Sequence, residues 1–274
     1  MKGKSSVFSN FAGIFFIILM GFPVYWMITT SFKPRQDVLS TEPKIIPQHF
    51  SLENYRNAFA REGLLSSLKN SLQVVTITVL ISLFLATFAS IAIARMKFRG
   101  KRTFITVLLI VQMLPLSALI IPVFLLLTKL HLTNKLPGLA LTYVAFILPF
   151  TIWTLRGFLA NIPVDLEEAA LVDGCNRIQA YRHILMPLMA PGLVATAIFA
   201  FIQAWNEFLL AYIIMQSQDK LTLPVWLAGF TTRTGTDWGP LMAASTLTAL
   251  PVVIFFMTIQ KRIATGVTAG AVKG

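Results

Sequence analysis

Six long apolar runs, separated by polar segments, dominate the pattern of this sequence. They cover approximately residues 8–32, 68–94, 104–127, 136–158, 188–215 and 239–259. A helix of about 20 residues is long enough to cross the hydrocarbon core of a bilayer, and each run reaches that length. The pattern therefore predicts an all-α membrane protein with six transmembrane helices.

The first run also resembles the apolar region of a secretory signal peptide, because Lys2 and Lys4 precede it. It is too long for that region and lacks a small-x-small cleavage site, so we predict that it is a transmembrane helix. The polar segment 33–66 follows. We expect it to be an ordered external loop or small cap, because it contains residues that could be buried: Phe50, Leu52, Tyr55 and Phe59.

Prolines interrupt two of the central runs. Pro115 and Pro122 lie in the third run, and Pro149 lies in the fourth. A proline frees a backbone carbonyl, which is tolerated at membrane depth only where protein or a water-filled path can satisfy it. These two spans are therefore predicted to be kinked helices that face the inside of the protein.

Basic residues set the predicted orientation. Five of them, without an acid, lie within the eight residues that follow the second run: Arg95, Lys97, Arg99, Lys101 and Arg102. Such a density marks the cytoplasmic side of the membrane. With six spans, segment 161–192 and both termini are then cytoplasmic, and segments 33–66, 129–135 and 216–238 are external.

Composition supports an integral membrane protein. Of the 274 residues, 56% are hydrophobic and only 12% are charged, and the mean hydropathy is +0.73. The net charge of +12 does not indicate a nucleic-acid partner, because the bases cluster at the ends of apolar runs, where lipid headgroups lie. The one cysteine, Cys175, excludes a disulfide within the chain, and His49, His131 and His183 lack metal-ligand spacing.

No catalytic chemistry is visible in the sequence. Gly100, Lys101 and Arg102 lack the upstream glycine and the preceding strand of a phosphate-binding loop. Neither a nucleophile with its base nor a carboxylate pair at glycosidase spacing occurs. We therefore predict that the chain is not an enzyme and binds no cofactor itself.

The polar segment 161–192 predicts a helix, a sharp turn and a second helix. Pro163 suits a first helical position, and acids crowd the first turn that follows. Gly174 suits the left-handed position that ends a helix. Asn176 and Gln179 have the spacing of a capping box for the second helix, which we expect to end at Pro187, Pro191 and Gly192.

The same segment carries the spaced pattern EAA, x3, G, x9, I-x-L-P, with Met186 where leucine is usual. Its residues are Glu168, Ala169, Ala170, Gly174, Ile184 and Pro187. This pattern resembles the coupling loop of ABC import permeases, whose two helices dock into a cleft on a separate ATPase. The resemblance implies a type I ABC importer permease fold. The alternative interpretation is an ordinary amphipathic loop between two spans.

Two further segments, 204–211 and 268–274, look like the carbohydrate-uptake branch of that family, in particular the shorter six-span permease of the maltose-type pair. The resemblance implies a first helix and external loop in 1–67, a transmembrane core in 68–262 and a cytoplasmic tail in 263–274. It implies transport of an oligosaccharide or related polyol in a bacterial or archaeal cytoplasmic membrane. The implied partners are a second homologous permease, two ATPase subunits that bind ATP and Mg²⁺, and an extracytoplasmic sugar-binding protein.

Glu207 is an acid well inside an apolar run. A carboxylate at the bilayer centre costs about 2.5–3.5 kcal/mol on insertion scales, so it should face protein or water. Gln203, Trp205, Asn206 and Glu207 are therefore candidates to line the substrate path. Alternatively, Glu207 forms hydrogen bonds within the helix bundle. Gln112, close to Pro115, is a further candidate, with core packing as its alternative.

An external segment contains Thr232, Arg233, Thr234 and Gly235, which are polar and include a glycine. By resemblance this segment is a loop that enters the sugar cleft of the binding protein; alternatively it is a plain connection. A different class of function, a secondary transporter or other six-span membrane protein without an ATPase partner, also fits the hydropathy. Ion coupling would require partnered titratable groups inside the membrane, and Glu207 has no such partner in the sequence pattern.

Overall fold

A computed structural model describes the backbone of residues 2–271 and the side chains of residues 9–259. The chain divides into two compact units, one formed by Met1–Leu65 and Val225–Pro251 and the other by Ser66–Pro224 and Val252–Gly274. The fold is helical apart from one small hairpin. Its helices are α1 Lys2–Ser31, α2 Arg35–Val38, α3 Glu53–Ala60, α4 Leu64–Arg95, α5 Lys101–Met113, α6 Leu116–Lys129, α7 Leu136–Ala160, α8 Asp165–Val172, α9 Arg177–Ala180, α10 Met186–Trp205, α11 Leu209–Ile214, α12 Leu223–Ala228 and α13 Trp238–Ala271.

The remaining elements are short. A π-helical turn, Tyr181–Leu185, joins α9 to α10, and a 3₁₀ turn forms at Gln218–Lys220. The hairpin pairs β1, Thr231–Thr232, with β2, Gly235–Thr236. The predicted tail 263–274 begins inside α13; its side chains, and the backbone of 272–274, lie outside the described residues.

Five of the six predicted spans are present as single long helices, and the third corresponds to a bent pair of helices. Among the described residues, five helices are long and apolar enough to cross a membrane, and the pair formed by α5 and α6 makes a sixth. The helices that pass alone are the parts Ser9–Ser31, Leu64–Arg95, Leu136–Ala160, Arg177–Trp205 and Trp238–Ile259. The prediction of an all-helical membrane fold is confirmed.

The third span is not the single kinked helix that we predicted. α5 and α6 meet at 101°. Leu114, between them, has extended geometry with φ −69° and ψ 127°, and Pro115 has φ −66° and ψ 128°. A proline disfavours helical geometry in the residue before it and cannot donate a hydrogen bond. Pro115 therefore breaks this span, whereas Pro122 is accommodated inside α6.

The second helix of segment 161–192 does not end at Pro187, Pro191 and Gly192, so this prediction was wrong. It continues without interruption from Arg177 to Trp205. The backbone N–H of Met186 donates to the carbonyl of Tyr181, the five-residue spacing of a π-turn, directly before Pro187. This wider turn accommodates the proline, which cannot make the regular helical bond.

Gly192 lies inside α10 because α7 passes close to it. A Cβ at this position would lie 2.6 Å from Cγ of Phe158. The absence of a side chain therefore permits α7 and α10 to pack closely. Gly192 marks the crossing of these two helices and not the end of one.

The fifth span is also interrupted. We predicted one helix over 188–215, but α10 ends at Trp205 and α11 begins at Leu209. Residues 206–208 between them are not helical. Non-helical backbone at membrane depth is tolerated where other groups of the protein satisfy it, and Glu207 does this here, as described below.

Segment 33–66 is ordered, and one of the four side chains that we expected to be buried contributes to this order: Tyr55 is half-buried, and its hydroxyl lies 2.8 Å from Oγ of Ser31. Phe50, Leu52 and Phe59 are exposed. The side chain of Asn54 is buried instead, and its amide donates to the carbonyls of Ser31, at 3.1 Å, and Lys33, at 2.7 Å. Carbonyls at a helix C-terminus lack helical partners, so Asn54 stabilises the end of α1.

Lys33 lies two residues after the end of the first membrane-spanning helix. Its side chain is buried, and its Nζ lies 4.0 Å from the ring centroid of Trp26. Burial lowers the pKa of Lys33, and the carboxylate of Asp37 opposes this effect.

A hydrophobic core in the larger unit lies where α4, α7 and the start of α10 meet. Its buried members are Ala86, Ile91, Ile93, Ile152, Leu155, Leu159, Leu185 and Met189. Ile162 and Tyr181, which belong to segment 161–192, pack against it. The core therefore holds this polar segment against the ends of two membrane-spanning helices.

Candidate functional site

Helix α8 ends in a complete Schellman motif. Gly174 has φ +89°, the left-handed geometry that favours glycine. The N–H of Cys175 donates to the carbonyl of Ala170 at 2.9 Å, and the N–H of Gly174 donates to that of Leu171 at 3.2 Å. These are the two bonds that define the motif. The predicted helix stop at Gly174 is confirmed.

The predicted capping box at the start of α9 is also present. The side chain of Asn176 accepts from the backbone N–H of Gln179 at 2.9 Å, and the side chain of Gln179 accepts from the N–H of Asn176 at 2.8 Å. Two backbone donors at the helix start are thereby satisfied. The Schellman motif and the capping box together fix the turn between α8 and α9.

The two adjacent glutamates of α8 have different environments. Glu167 is buried and accepts a hydrogen bond from Nε of Arg95 at 2.5 Å, whereas Glu168 is exposed. Arg95 ends α4, so the basic segment 95–102 and segment 161–192 meet at the same end of the larger unit. This contact agrees with the prediction that both segments lie on one side of the membrane.

The remaining residues of the spaced pattern are divided between surface and interior. Ala169 and Pro187 are exposed, Ile184 is half-buried and Ala170 is buried. Large apolar side chains are exposed around Glu168 on α8, α9 and the turns beside them: Val164, Leu166, Leu171, Val172 and Ile178. An apolar patch on a polar segment is typical of a protein-binding surface.

A cavity of about 330 Å³ lies within the larger unit, where the broken third and fifth spans approach α7. Three of the predicted path residues line it together: Gln112, Gln203 and Glu207. Tyr143 also lines it, as do aromatic and aliphatic side chains that include Phe146, Phe150 and Phe199. The rings of Phe150 and Phe199 stack with centroids 3.8 Å apart.

Glu207 is held by three hydrogen bonds. The hydroxyl of Tyr143 donates to Oε2 at 2.7 Å, and the backbone N–H groups of Leu210 and Ala211 donate to Oε1 at 2.7 Å and Oε2 at 3.1 Å. The carboxylate thus satisfies the free N–H groups at the start of α11. Glu207 therefore forms hydrogen bonds within the helix bundle and also lines the cavity.

The other two path candidates are placed elsewhere. The side chain of Trp205 is buried and stacks on Phe201, with ring centroids 5.5 Å apart. Asn206 is exposed, and its amide donates to the carbonyl of Ile202 at 3.0 Å. Neither residue is among those that line the cavity.

The lining can bind a hydroxylated, uncharged molecule. Gln112, Gln203 and Tyr143 offer donors and acceptors for hydroxyl groups, and aromatic rings can cover the apolar faces of a sugar ring. Among the described residues that line the cavity, Glu207 is the charged one and none is basic. An anionic molecule would therefore meet a carboxylate without a compensating cation.

One unbroken helical segment connects segment 161–192 to this cavity. Residues Arg177–Trp205 form a helix of 29 residues, equivalent to ~43 Å at 1.5 Å per residue. Gln203 lies in its last turn, and Glu207 follows two residues after its end. The start of α9 and the cavity lining are therefore joined by continuous helix.

The external candidates form the β1–β2 hairpin of the smaller unit. Thr232 Oγ1 and Thr234 Oγ1 are 2.9 Å apart, and Gly235 has φ +137°. Thr232, Thr234 and Gly235 line a polar recess of about 390 Å³ together with Asn57, Arg61 and Trp238. Arg233, at the tip, is exposed and does not line the recess.

Sequence reasoning missed Tyr143 and the pair formed by Arg95 and Glu167. Tyr143 carries a polar hydroxyl in the middle of an apolar run, which was a usable signal. In the sequence, Arg95 indicates topology, and Glu167 is one of the acids in the first turn after Pro163. Their pairing spans 72 positions of sequence, so no local pattern indicated it.

Comparisons with known proteins identify the family of this chain. Residues 78–269 match the family described as the inner membrane component of binding-protein-dependent transport systems. The diacetylchitobiose uptake system permease of Streptomyces coelicolor is 42% identical over 98% of this chain and 97% of its own length. The trehalose transport system permease of Mycobacterium tuberculosis is 39% identical over 92% of each chain.

A solved structure shares the fold. The crystal structure of a bacterial ABC transporter that imports the acidic polysaccharide alginate superposes with a TM-score of 0.80, over 95% of this chain and 98% of the matched chain. The sequence identity is 20%, so this likeness concerns the fold alone.

Proposed function

Because the chain belongs to the family of inner membrane components of binding-protein-dependent transport systems, we propose that it is a permease subunit of an ATP-driven sugar importer. It is an integral inner-membrane protein. We assign the cavity at Gln112, Gln203 and Glu207 to the sugar path and segment 161–192 to ATPase coupling. Membership of this family sets aside the alternative of a secondary transporter without an ATPase.

The observation that carries the proposal is the continuous helix from Arg177 to Trp205. It begins in the segment with the coupling pattern and ends beside a cavity suited to hydroxylated molecules. In alternating access, closure of the ATPase pair moves α8 and α9, and this helix transmits the movement to the sugar path. The break at 206–208 supplies a place at which the span can bend.

The exposed surface of α8 and α9 fits the partner role. Glu168 is exposed beside Leu171 and Val172, so a carboxylate and apolar side chains are available to a partner's cleft. We propose that two ATPase subunits, which bind ATP and Mg²⁺, dock here, and that a second homologous permease completes the path. The family pattern suggests an ATPase arginine as the partner of Glu168.

We further propose that the transported molecule is a neutral oligosaccharide or a related polyol. The two relatives named above are permeases for diacetylchitobiose and trehalose. The cavity supports this class, because its described lining has amides, a phenol and one carboxylate but no base. An acidic saccharide such as alginate would be repelled by Glu207.

On the external side, we propose that the sugar-binding protein contacts the β1–β2 hairpin, with Thr232, Arg233, Thr234 and Gly235. The family depends on a binding protein. The exposed tip at Arg233 supports this proposal. Both termini then lie in the cytoplasm.

Glu168→Ala tests the coupling half of the proposal. In the docked complex, Glu168 would be buried against the ATPase arginine. Removal of one member of a buried ion pair costs about 3–5 kcal/mol, which is enough to weaken docking by orders of magnitude. We expect the ATPase to be lost from the purified complex and uptake to be abolished, while the isolated ATPase keeps its basal hydrolysis. Glu42→Gln, at an exposed carboxylate of the external segment, is the control. Full co-purification and full uptake in Glu168→Ala would contradict the coupling role.

Glu207→Gln tests the path. This change keeps the shape and one acceptor but removes the charge that accepts from Tyr143 and two backbone groups. Hydrogen bonds to charged groups contribute about 1.5–3 kcal/mol, so weakening them should displace the start of α11 and with it the cavity lining; we therefore expect uptake affinity to fall by roughly tenfold or more. The ATPase should still co-purify. Unchanged affinity and rate of uptake in an assembled complex would remove Glu207 from the path.

A further inference from the structure

Arg95 and Glu167 form an ion pair between the end of α4 and the coupling segment, residues 161–192. Both side chains are almost completely buried, with 8% and 10% of their surfaces exposed. Arg95 Nε donates to Glu167 Oε1 at 2.5 Å, and Arg95 Nη2 donates to the carbonyl of Ile162 at 2.9 Å. One guanidinium therefore holds two points of the segment at once.

These two points lie on either side of the entry into α8. Ile162 follows the end of α7, and Glu167 lies in the first turn of α8. A planar guanidinium with donors in a fixed fork constrains both the distance and the direction of such partners. The connection between α7 and α8 is thus attached to the last residue of α4, in addition to its covalent links.

The pair also fixes the rotation of α8 about its axis. Glu167 and Glu168 are consecutive, so their side chains point ~100° apart around the helix. With Glu167 bound inward to Arg95, Glu168 is directed to solvent. If α8 rotated by one residue, Glu168 would be buried and the apolar and acidic groups of the exposed face would be displaced.

We infer that Arg95 is a positioning residue for coupling: through Glu167 and Ile162 it sets the orientation of α8 and transmits movement of the coupling segment to α4. The coupling segment then drives two spans. It acts on the fifth span through the continuous helix Arg177–Trp205, and on the second span through this ion pair. The inference rests on the proposed role of α8 in ATPase docking and adds a second route of transmission to it.

The native Cys175 makes a direct test feasible, because it is the one cysteine in the chain and follows α8 by three residues. A spin label on Cys175 is combined with a second label at the exposed position of Lys97→Cys, beyond the end of α4. The complex is assembled with cysteine-free partner subunits and must retain ATPase stimulation after labelling. Pulsed electron paramagnetic resonance then measures the distance distribution between the ends of α4 and α8.

The variants Glu167→Gln and Arg95→Gln remove one charge each, and Arg99→Gln, at an exposed base of the same cytoplasmic segment, is the matched control. We expect a narrow distance distribution in the wild type and in the control, and a broadened one in both test variants. The number of sugar molecules imported per ATP hydrolysed should fall by roughly tenfold in the test variants. We expect the double variant Arg95→Glu with Glu167→Arg to restore part of the narrow distance distribution and part of the sugar import per ATP.

A merely structural contact would not produce both a broadened distance distribution and a lower import per ATP. Loss of folded complex lowers uptake and ATP hydrolysis in parallel, so the ratio of uptake to hydrolysis stays unchanged. If Arg95→Gln does not accumulate, Arg95→Lys replaces it. Lysine keeps the charge but lacks the forked donors of the guanidinium, so the number of sugar molecules imported per ATP should be intermediate. The inference is wrong if Glu167→Gln assembles with the wild-type distance distribution and the wild-type ratio. It is also wrong if hydrolysis and uptake fall together in every variant.

The outcome for Glu168→Ala separates this inference from the proposed function. If Glu168→Ala loses the ATPase while Glu167→Gln behaves as the wild type, docking at α8 stands and only the route through Arg95 is rejected. If Glu168→Ala keeps both ATPase and uptake, α8 is not the coupling element, and the inference falls with the proposed function.

Discussion

At the scale of single residues, Gly174 fixes the turn between α8 and α9 by its backbone conformation rather than by a contact. Its φ is +89°, yet a Cβ placed there would meet no atom within 4 Å. Any cost of substitution is therefore conformational, about 1–2 kcal/mol for a residue in the left-handed region and more for a β-branched one. The angle between α8 and α9 depends on this left-handed conformation of Gly174.

We expect Gly174→Ala to reduce sugar uptake and Gly174→Val to abolish it, because each forces the turn away from its Schellman geometry. Uptake by the reconstituted complex and co-purification of the ATPase are the measurements. Gly157→Ala is the control, since Gly157 lies inside α7 with open space around its Cβ position and no positive φ. Wild-type uptake in Gly174→Val would show that the turn does not set the docking geometry.

At the scale of elements, the broken third span brings Gln112 to the cavity. Pro115 removes a donor and keeps Leu114 extended, so α5 ends at Met113 and turns through 101°. Gln112, Leu114 and Leu116 all line the cavity, on both sides of the break. The cavity in this region is therefore a product of the bend.

We expect Pro115→Ala to favour a continuous helix, to withdraw Gln112 from the cavity and to lower uptake while the ATPase still co-purifies. Reaction of Gln112→Cys with a small water-soluble thiol reagent, in a Cys175→Ser background, measures the exposure of this position. Pro122→Ala is the matched control, because Pro122 lies inside α6 and away from the break. Equal reactivity with and without Pro115 would mean that the bend does not present Gln112.

At the scale of the whole molecule, orientation in the membrane is set by charge rather than by the fold. The contact between Arg95 and Glu167 places segments 95–102 and 161–192 at one end of the larger unit. The density of bases in segment 95–102 predicts that this end is cytoplasmic. Cys175, in segment 161–192, is the natural reporter of this orientation.

We expect Cys175 to remain unmodified when spheroplasts are treated with a membrane-impermeant thiol reagent, and to react after permeabilisation. Arg233→Cys in a Cys175→Ser background provides the opposite control, since the exposed tip of the hairpin should react without permeabilisation. Efficient modification of Cys175 in sealed spheroplasts would overturn the assigned topology.

The sequence by itself determined the features whose causes are local. Apolar run length located the six spans because the bilayer core has a fixed thickness. The stop at Gly174 and the capping box at Asn176 and Gln179 were predictable because helix ends are satisfied by groups within a few residues. The coupling pattern with Glu168 was recognisable by its resemblance to a family, because all of its residues lie within the short stretch 168–187.

Only the tertiary structure decided features that depend on distant partners. Tyr143 meets Glu207 across 64 positions and Arg95 meets Glu167 across 72, and no periodicity links such residues. Pro187 and Gly192 looked like helix ends, yet a π-turn and a close crossing with Phe158 keep the helix continuous. A proline or glycine signals a break locally, but the neighbouring helices decide whether the freed backbone and the missing side chain are accommodated.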